Sequence, residues 1–185
     1  MKPAPLPPIA LLRESLTYCP STGLLTWKVR PVAHFKNAHA TNTFNANFAG
    51  RHCTVSHAGG YVSARIGGKH CLGHRLAWKL MTGNDPAALI DHINGNPADN
   101  RWSNLREATQ QQNGINRGAT VKSKTGAKGI VFDRERQKFA AYITADGKTK
   151  FVGRFADLQQ ASAARFAAEA AAHGRFAHQQ AQEAA

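Results

Sequence analysis

Asp91 and His92 stand together at the end of the apolar run Leu89-Ile90, just before the turn-prone stretch Ile93-Asn94-Gly95-Asn96-Pro97-Ala98-Asp99-Asn100-Arg101. Beyond it, Trp102-Ser103-Asn104-Leu105-Arg106 and Thr109-Gln110-Gln111-Gln112-Asn113 add further amides. Carboxylate and amide oxygens are hard donors of the kind that Mg²⁺ or Mn²⁺ takes. A histidine with an ordinary pKa of about 6.5 accepts a proton near neutrality. Together they offer what phosphodiester hydrolysis needs: a cation for the phosphate oxygens and a base for the attacking water. An Asp-His dipeptide alone carries little weight. The ordered set carries more: Asp-His-Ile, Asn-Gly-Asn, Asp-Asn-Arg, Ser-Asn-Leu-Arg, then Thr-Gln-Gln-Gln-Asn.

The flanking elements must hold that set. Leu89-Ile90 reads as a short buried strand. Neighbouring side chains of an extended strand face opposite ways, so a twist or bulge has to bring Asp91 and His92 to one site. Upstream, Tyr61–Ile66 and Lys69–Leu72 read as a hairpin turned at Gly67-Gly68. His74–Met81 suits a short helix stopped by Gly83, and Asp85-Pro86 is a breaker. Downstream, Thr109 is a plausible N-cap for a polar helix that carries Asn113 and is weakened by Gly114. Nearer the N-terminus, residues 9–18 read as a short helix and Cys19–Gly23 as a turn. Leu24–Val29 follows as a strand, and 36–50 as a loop rich in Asn, Ala and Thr.

The chain has 185 residues and a formal net charge of +13, enough length for one large domain or two small ones. That charge calls for a polyanionic partner, and with hydrolytic chemistry in the same chain the polyanion is a nucleic acid. No apolar run reaches membrane-spanning length. No Lys/Arg-rich amphipathic helix or lipidation signal marks a membrane surface. Met1–Pro8 is broken by prolines and lacks the apolar core of a signal peptide, so the expected compartment is the cytoplasm. Cys19, Cys53 and Cys71 show no C-x-x-C spacing. His52-Cys53, His70-Cys71 and His74 leave structural zinc as an alternative use of those residues, against buried or incidental thiols.

Tyr61 through Asn116, with Gly73-His74-Arg75-Leu76-Ala77-Trp78 leading, resembles the HNH endonucleases of the phage and intron homing type. The resemblance implies a ββα-metal fold and a divalent cation, Mg²⁺ or Mn²⁺. Asp91 would be a metal ligand and His92 the general base. Asn104 would brace the loop and so the histidine, a role for which Asn100 competes. Asn113 would be the second protein ligand, in competition with Asn116. Many such enzymes carry His at that last position. Arg75, Arg101 and Arg106 are candidate phosphate contacts, and His74 stands either near phosphate or in the core.

After the basic stretch Gly118–Gly126, a second pattern follows. Gly129–Phe132, Lys138–Ile143 and Thr149–Phe155 read as three strands, the last two joined at Asp146-Gly147. Residues 157–173 form an alanine-rich helix with Leu158, Ala161, Phe166 and Ala170 on one stripe. Gly126–Ile130, Phe139–Ile143, Val152–Phe155 and Ala161–Ala172 resemble the plant ethylene-response-factor DNA-binding domain, a three-stranded sheet packed on one helix. Phe139 stands where that family usually has Trp, Phe166 near the usual helix aromatic, and His178 where Asn is common. Lys128, Arg134, Arg136, Lys138, Tyr142, Lys150 and Arg154 lie on or between the strands, where they can meet phosphates or base edges.

The expectation is an α+β protein of two modules, with residues 1–58 as an accessory region, 59–118 as the nuclease module and 123–178 as the DNA-binding domain. Its activity would be metal-dependent cleavage of double-stranded DNA in a bacterial or phage-infected cell, with no obligate protein partner and no membrane. The competing readings are a non-catalytic DNA-binding regulator with a degenerate nuclease module, and a nuclease of repair or phage packaging.

Overall fold

The computed structural model describes residues 4–55, 59–116, 123–145 and 147–177; His178, Asp146 and part of the basic stretch 118–126 lie outside them. The fold is α+β, built from small antiparallel sheets and short helices. Its chain divides into two compact units: Met1–His92 with Asn96–Glu107, and Ile93–Gly95 with Ala108–Ala185.

In the first unit, helix α1 (Ile9–Ser15) runs directly into β1 (Leu16–Tyr18), which pairs antiparallel with β2 (Leu25–Trp27). Hairpin β3 (Ser63–Ile66) and β4 (Lys69–Leu72) reverses at Gly67-Gly68, as its sequence predicts. Leu12, Leu16, Leu25, Ile66 and Leu76 are all essentially inaccessible and share one core. Each such side chain stabilises the unit by about 1.5–3 kcal/mol. Helix α3 (Gly73–Thr82) turns His74, Leu76 and Ala77 inward and ends on Gly83 in the left-handed region, at φ +81°. Strand β5 (Leu89–His92) pairs with β6 (Leu105–Ala108), and Ile90 and Leu105 pack on Ala77 of α3.

Residues 36–50 are not the loop their composition predicts. Ala38–Phe48 form helix α2, with the Asn37 side chain accepting from the Ala40 amide. The apolar signal is confined to Phe44 and Phe48, one turn apart. Phe44 meets Trp27 edge-on at 5.2 Å and Phe48 at 5.0 Å. Packing and a cap override the weak helix propensity of Asn and Thr.

In the second unit, α4 (Gln110–Asn116) opens with a reciprocal cap: the Gln112 amide donates to Thr109 Oγ1, and the Thr109 amide to Gln112 Oε1. Strands β7 (Ile130–Asp133), β8 (Lys138–Ala145) and β9 (Lys148–Phe155) form an antiparallel sheet with β8 central and a bulge at Ala141/Tyr142. Helix α5 (Leu158–His173) packs on it, and Ile130, Ala141 and Ala161 centre the core. The stripe read from sequence needs correction here. Ala161, Arg165 and Glu169 are the buried residues of α5, whereas Phe166 is 42% exposed. Gly129 explains the buried ion pair. A Cβ there would lie 2.7 Å from Arg165 Nε and 2.5 Å from the Tyr142 carbonyl oxygen, so only glycine leaves room for the guanidinium. Glu169 then accepts from both Arg165 amino groups, at 2.9 and 3.0 Å, and from Lys128 at 3.1 Å.

Candidate active site

The first unit gathers its polar residues where β5 ends. Asp91 and His92 are both buried there, 4% and 6% exposed. His92 Nε2 lies 3.2 Å from Asn100 Oδ1. The Asn100 amide nitrogen faces the Ala98 carbonyl at 3.5 Å, which leaves its carbonyl oxygen for the imidazole. His92 therefore donates from Nε2, and the lone pair of the neutral ring sits on Nδ1. Burial pushes the His92 pKa below the ordinary histidine value, while Asn100, Asp91 and Asp99 pull it back up. The result is an imidazole that is unprotonated at neutral pH and polarised by an amide acceptor.

Two rings enclose it. His74 meets His92 edge-on at 5.1 Å, and Tyr61 lies 5.4 Å from His74 and 6.0 Å from His92. Burial, then His92 and Arg75, lowers the His74 pKa to about 3, so this histidine is neutral throughout the working range. Its Nδ1 has no hydrogen-bond partner among the described residues.

Of the two asparagines that compete for the bracing role, Asn100 touches the imidazole. Asn104 acts one step back: its Nδ2 donates to the Asp99 carbonyl at 2.7 Å and closes the loop that presents Asn100. Asp91 is met by Arg106, whose Nε and Nη2 both donate to Oδ2, at 2.8 and 2.7 Å. The strand pair β5–β6 sets this meeting, since each residue sits on one of the two strands.

Residues 71–115 match the HNH endonuclease family, a stretch that takes in His74, Asp91, His92, Asn100, Asn104, Arg106 and Asn113. Protein 3.8 of Escherichia phage T7 is 32% identical over 105 residues, spanning 56% of this chain and 86% of the phage protein. The chain belongs to the family of that phage protein. No solved structure matches it.

The other residues singled out in sequence fall into three settings. Arg75, within the HNH domain, donates from Nη2 to the Ala4 carbonyl at 3.0 Å. Arg101, also within it, is exposed and chelates Asp99 through Nε at 2.8 and 3.1 Å. Asn113 lies on α4, its amide bonded to the Thr109 carbonyl as the helix requires. In the second unit, Lys128 is committed to Glu169 and the Ile115 carbonyl. Arg134, Arg136, Lys138, Lys150 and Arg154 are exposed, and Tyr142 is half-buried with its ring 5.4 Å from Phe151. Arg136 and Arg154 share Asp133, at 3.2 and 3.3 Å, and Arg154 also covers the Phe151 ring at 5.1 Å.

The sequence places Tyr61 at the start of a strand and Cys19–Gly23 in a turn, but marks neither as part of the site. The turn's one legible signal was Gly23, a glycine in a reversal that could have been ordinary. Among the described residues, no three His, Cys, Asp or Glu side chains gather as a metal cluster. Cys19, Cys53 and Cys71 are free thiols.

Proposed function

We propose that this protein is a metal-dependent endonuclease that hydrolyses phosphodiester bonds in double-stranded DNA. In this reading it is of the homing type, and its second unit supplies the targeting surface. The observation that carries the proposal is the His92–Asn100 pair, buried beside Asp91 within the stretch that matches the HNH endonuclease family.

His92 is the general base. With its ring held by Asn100, the unprotonated ring nitrogen of His92 takes the proton of the attacking water. Asn104 keeps the loop closed so that Asn100 does not drift. Asp91 fits a hard divalent cation in one respect: its buried carboxylate already sits where positive charge is held, against the Arg106 guanidinium. Asp91 would hold the ion; Asn113, the second ligand that the family resemblance implies, lies on α4 in the second unit. When bound, Mg²⁺ or Mn²⁺ supplies charge for the phosphate oxygens and the departing 3′-oxygen. Arg106, displaced from Asp91, would be left for phosphate. In the second unit, Lys138, Lys150, Arg134, Arg136 and Arg154 lie on or near the same sheet as the aromatic pair Tyr142 and Phe151. Cations beside flat rings suit contact with phosphates and base edges.

Supercoiled plasmid incubated with Mg²⁺ or Mn²⁺, and in parallel with EDTA, tests this. Nicked or linear product that disappears with EDTA is the expected result; equal cutting in EDTA rejects the metal. A second reading, a non-catalytic DNA-binding regulator, draws on one observation: the Asp91 carboxylate is engaged by Arg106. Salt-sensitive DNA binding with no cleavage under any divalent cation would favour it.

A further inference from the structure

The accessory N-terminal hairpin touches the catalytic loop at three consecutive residues. Tyr18 Oη donates to the Asn100 carbonyl at 2.7 Å. The Trp102 amide donates to the Pro20 carbonyl at 2.9 Å. Gly23, at φ +75°, is pressed so close that a Cβ would lie 2.4 Å from the Arg101 nitrogen and 2.5 Å from the Asn100 carbonyl carbon. The backbone from Asn100 to Trp102 is thus clamped by a hydroxyl, a carbonyl and a bare glycine. Asn100 is itself 1% exposed, and its side chain is the one that meets His92. Burial, with Cys19 and Asp99 nearby, pushes the Tyr18 hydroxyl up to about 12, so it remains a donor.

We infer that Tyr18 is a positioning residue of the proposed reaction. It fixes the Asn100 backbone, and Asn100 in turn fixes the orientation and tautomer of His92. The hairpin is then part of the active-site machinery, although it lies outside the stretch that matches the HNH family. This inference rests on His92 being the base. The physical case is one of leverage: a base displaced by about 1 Å can lose on the order of 10²-fold in rate, while a single hydrogen bond contributes little to folding.

Tyr18→Phe is the informative variant, because it keeps the ring in the core and removes only the hydroxyl. With supercoiled plasmid and saturating Mg²⁺, kcat should fall about 10-fold or more while KM stays within about twofold of wild type. Asn100→Ala should lose more. The double variant should be no slower than Asn100→Ala alone, since Tyr18 acts through that residue. At one fixed alkaline pH, imidazole ¹⁵N spectra should show His92 as the Nε2–H tautomer in wild type and a mixture in Tyr18→Phe. Wild-type kcat in Tyr18→Phe, or losses that multiply in the double variant, would overturn the inference. If His92→Ala still cuts, the base assignment itself has failed; an unchanged His92 tautomer in Tyr18→Phe would then overturn the present inference separately.

Discussion

The two units use polar residues in opposite ways. Around His92, beside the buried His74, four hydrogen-bonded polar side chains are buried: Asp91, His92, Asn100 and Asn104, none more than 6% exposed. They are oriented by groups from β6, the 99–104 loop and the β1–β2 hairpin. On the three-stranded sheet, Lys138, Lys150, Phe151 and Arg154 stay at the surface; Arg154 and Arg136 share the half-buried Asp133 of β7, and Arg136 also meets the exposed Glu135. A hydrolytic centre depends on sub-ångström placement, so its groups are held by burial and directional bonds. A DNA surface, the role proposed for the second unit, would depend on potential and reach, and its cations would remain hydrated. The second unit does bury one ionic cluster, Lys128, Arg165 and Glu169, but as support under the sheet.

The largest effect should separate the two roles outright. His92→Ala should lower plasmid cleavage by about 10²–10⁴-fold, the usual contribution of a general base, with DNA affinity unchanged in a gel-shift titration. An affinity loss matching the rate loss would erase the distinction between a centre built for position and a surface built for charge.

Next in size is an effect on folding confined to the second unit. Glu169→Ala removes the one carboxylate shared by Arg165 and Lys128. Two cations are left in a poorly hydrated place, one of them with a buried Nε that has no partner among the described residues. Breaking such a cluster from one side costs about 3–5 kcal/mol. Urea unfolding should show that loss in the second unit. If the variant is as stable as wild type, the cluster is not a support.

Acid should act on the first unit through His74 and His92. Their folded pKa values lie below the unfolded one, so the unfolded chain binds protons first as pH falls. The associated stability is complete above about pH 6.5. It declines as pH drops toward the folded values, about 3 for His74. The slope is at most about 1.4 kcal/mol per pH unit for each histidine. His74→Phe, which keeps a ring beside Tyr61, should flatten the fall in melting temperature between pH 7 and 5. An unchanged acid slope would mean that His74 is not buried neutral.

How much of this was legible beforehand depended on whether chemistry or packing set each position. Asp91-His92 at a strand end could be read directly, because few residue types serve that chemistry and the apolar run before them marks the strand. The Thr109 cap and the three-strand, one-helix pattern were legible for the same kind of reason: local rules and tertiary structure agree. Helix α2 was hidden because only Phe44 and Phe48 carry its apolar face. The α5 stripe was misjudged because an arginine and a glutamate occupy it, and their burial depends on Gly129, thirty-six residues before Arg165. Arg106 reads from sequence as a candidate phosphate contact, and only the strand pairing puts it on Asp91. The hairpin's hold on Asn100 spans 82 residues, and no local pattern reports a contact of that range.

The smallest effect is the one that tests the sheet as a charged surface. Each phosphate contact adds about −0.9 to the slope of log affinity against log salt on duplex DNA. Lys138 is exposed, and no ion pair is seen for it among the described residues, so Lys138→Ala should flatten the slope by about that amount. Arg154 is already shared with Asp133 and stacked on Phe151, so its release to a phosphate must first give up those contacts. Arg154→Ala should therefore flatten the slope less than Lys138→Ala does, even though arginine is the stronger phosphate ligand in isolation. Asp133→Asn separates the two cases. It frees both Arg154 and Arg136 and leaves the Lys138 side chain in place on the neighbouring strand, and should steepen the slope in an otherwise wild-type chain. His92→Ala, by contrast, should leave the slope where it was. If Lys138→Ala and Asp133→Asn both leave the salt dependence unchanged while the chain still binds DNA, the sheet is not the charged surface, and DNA binding has to come from another part of the chain.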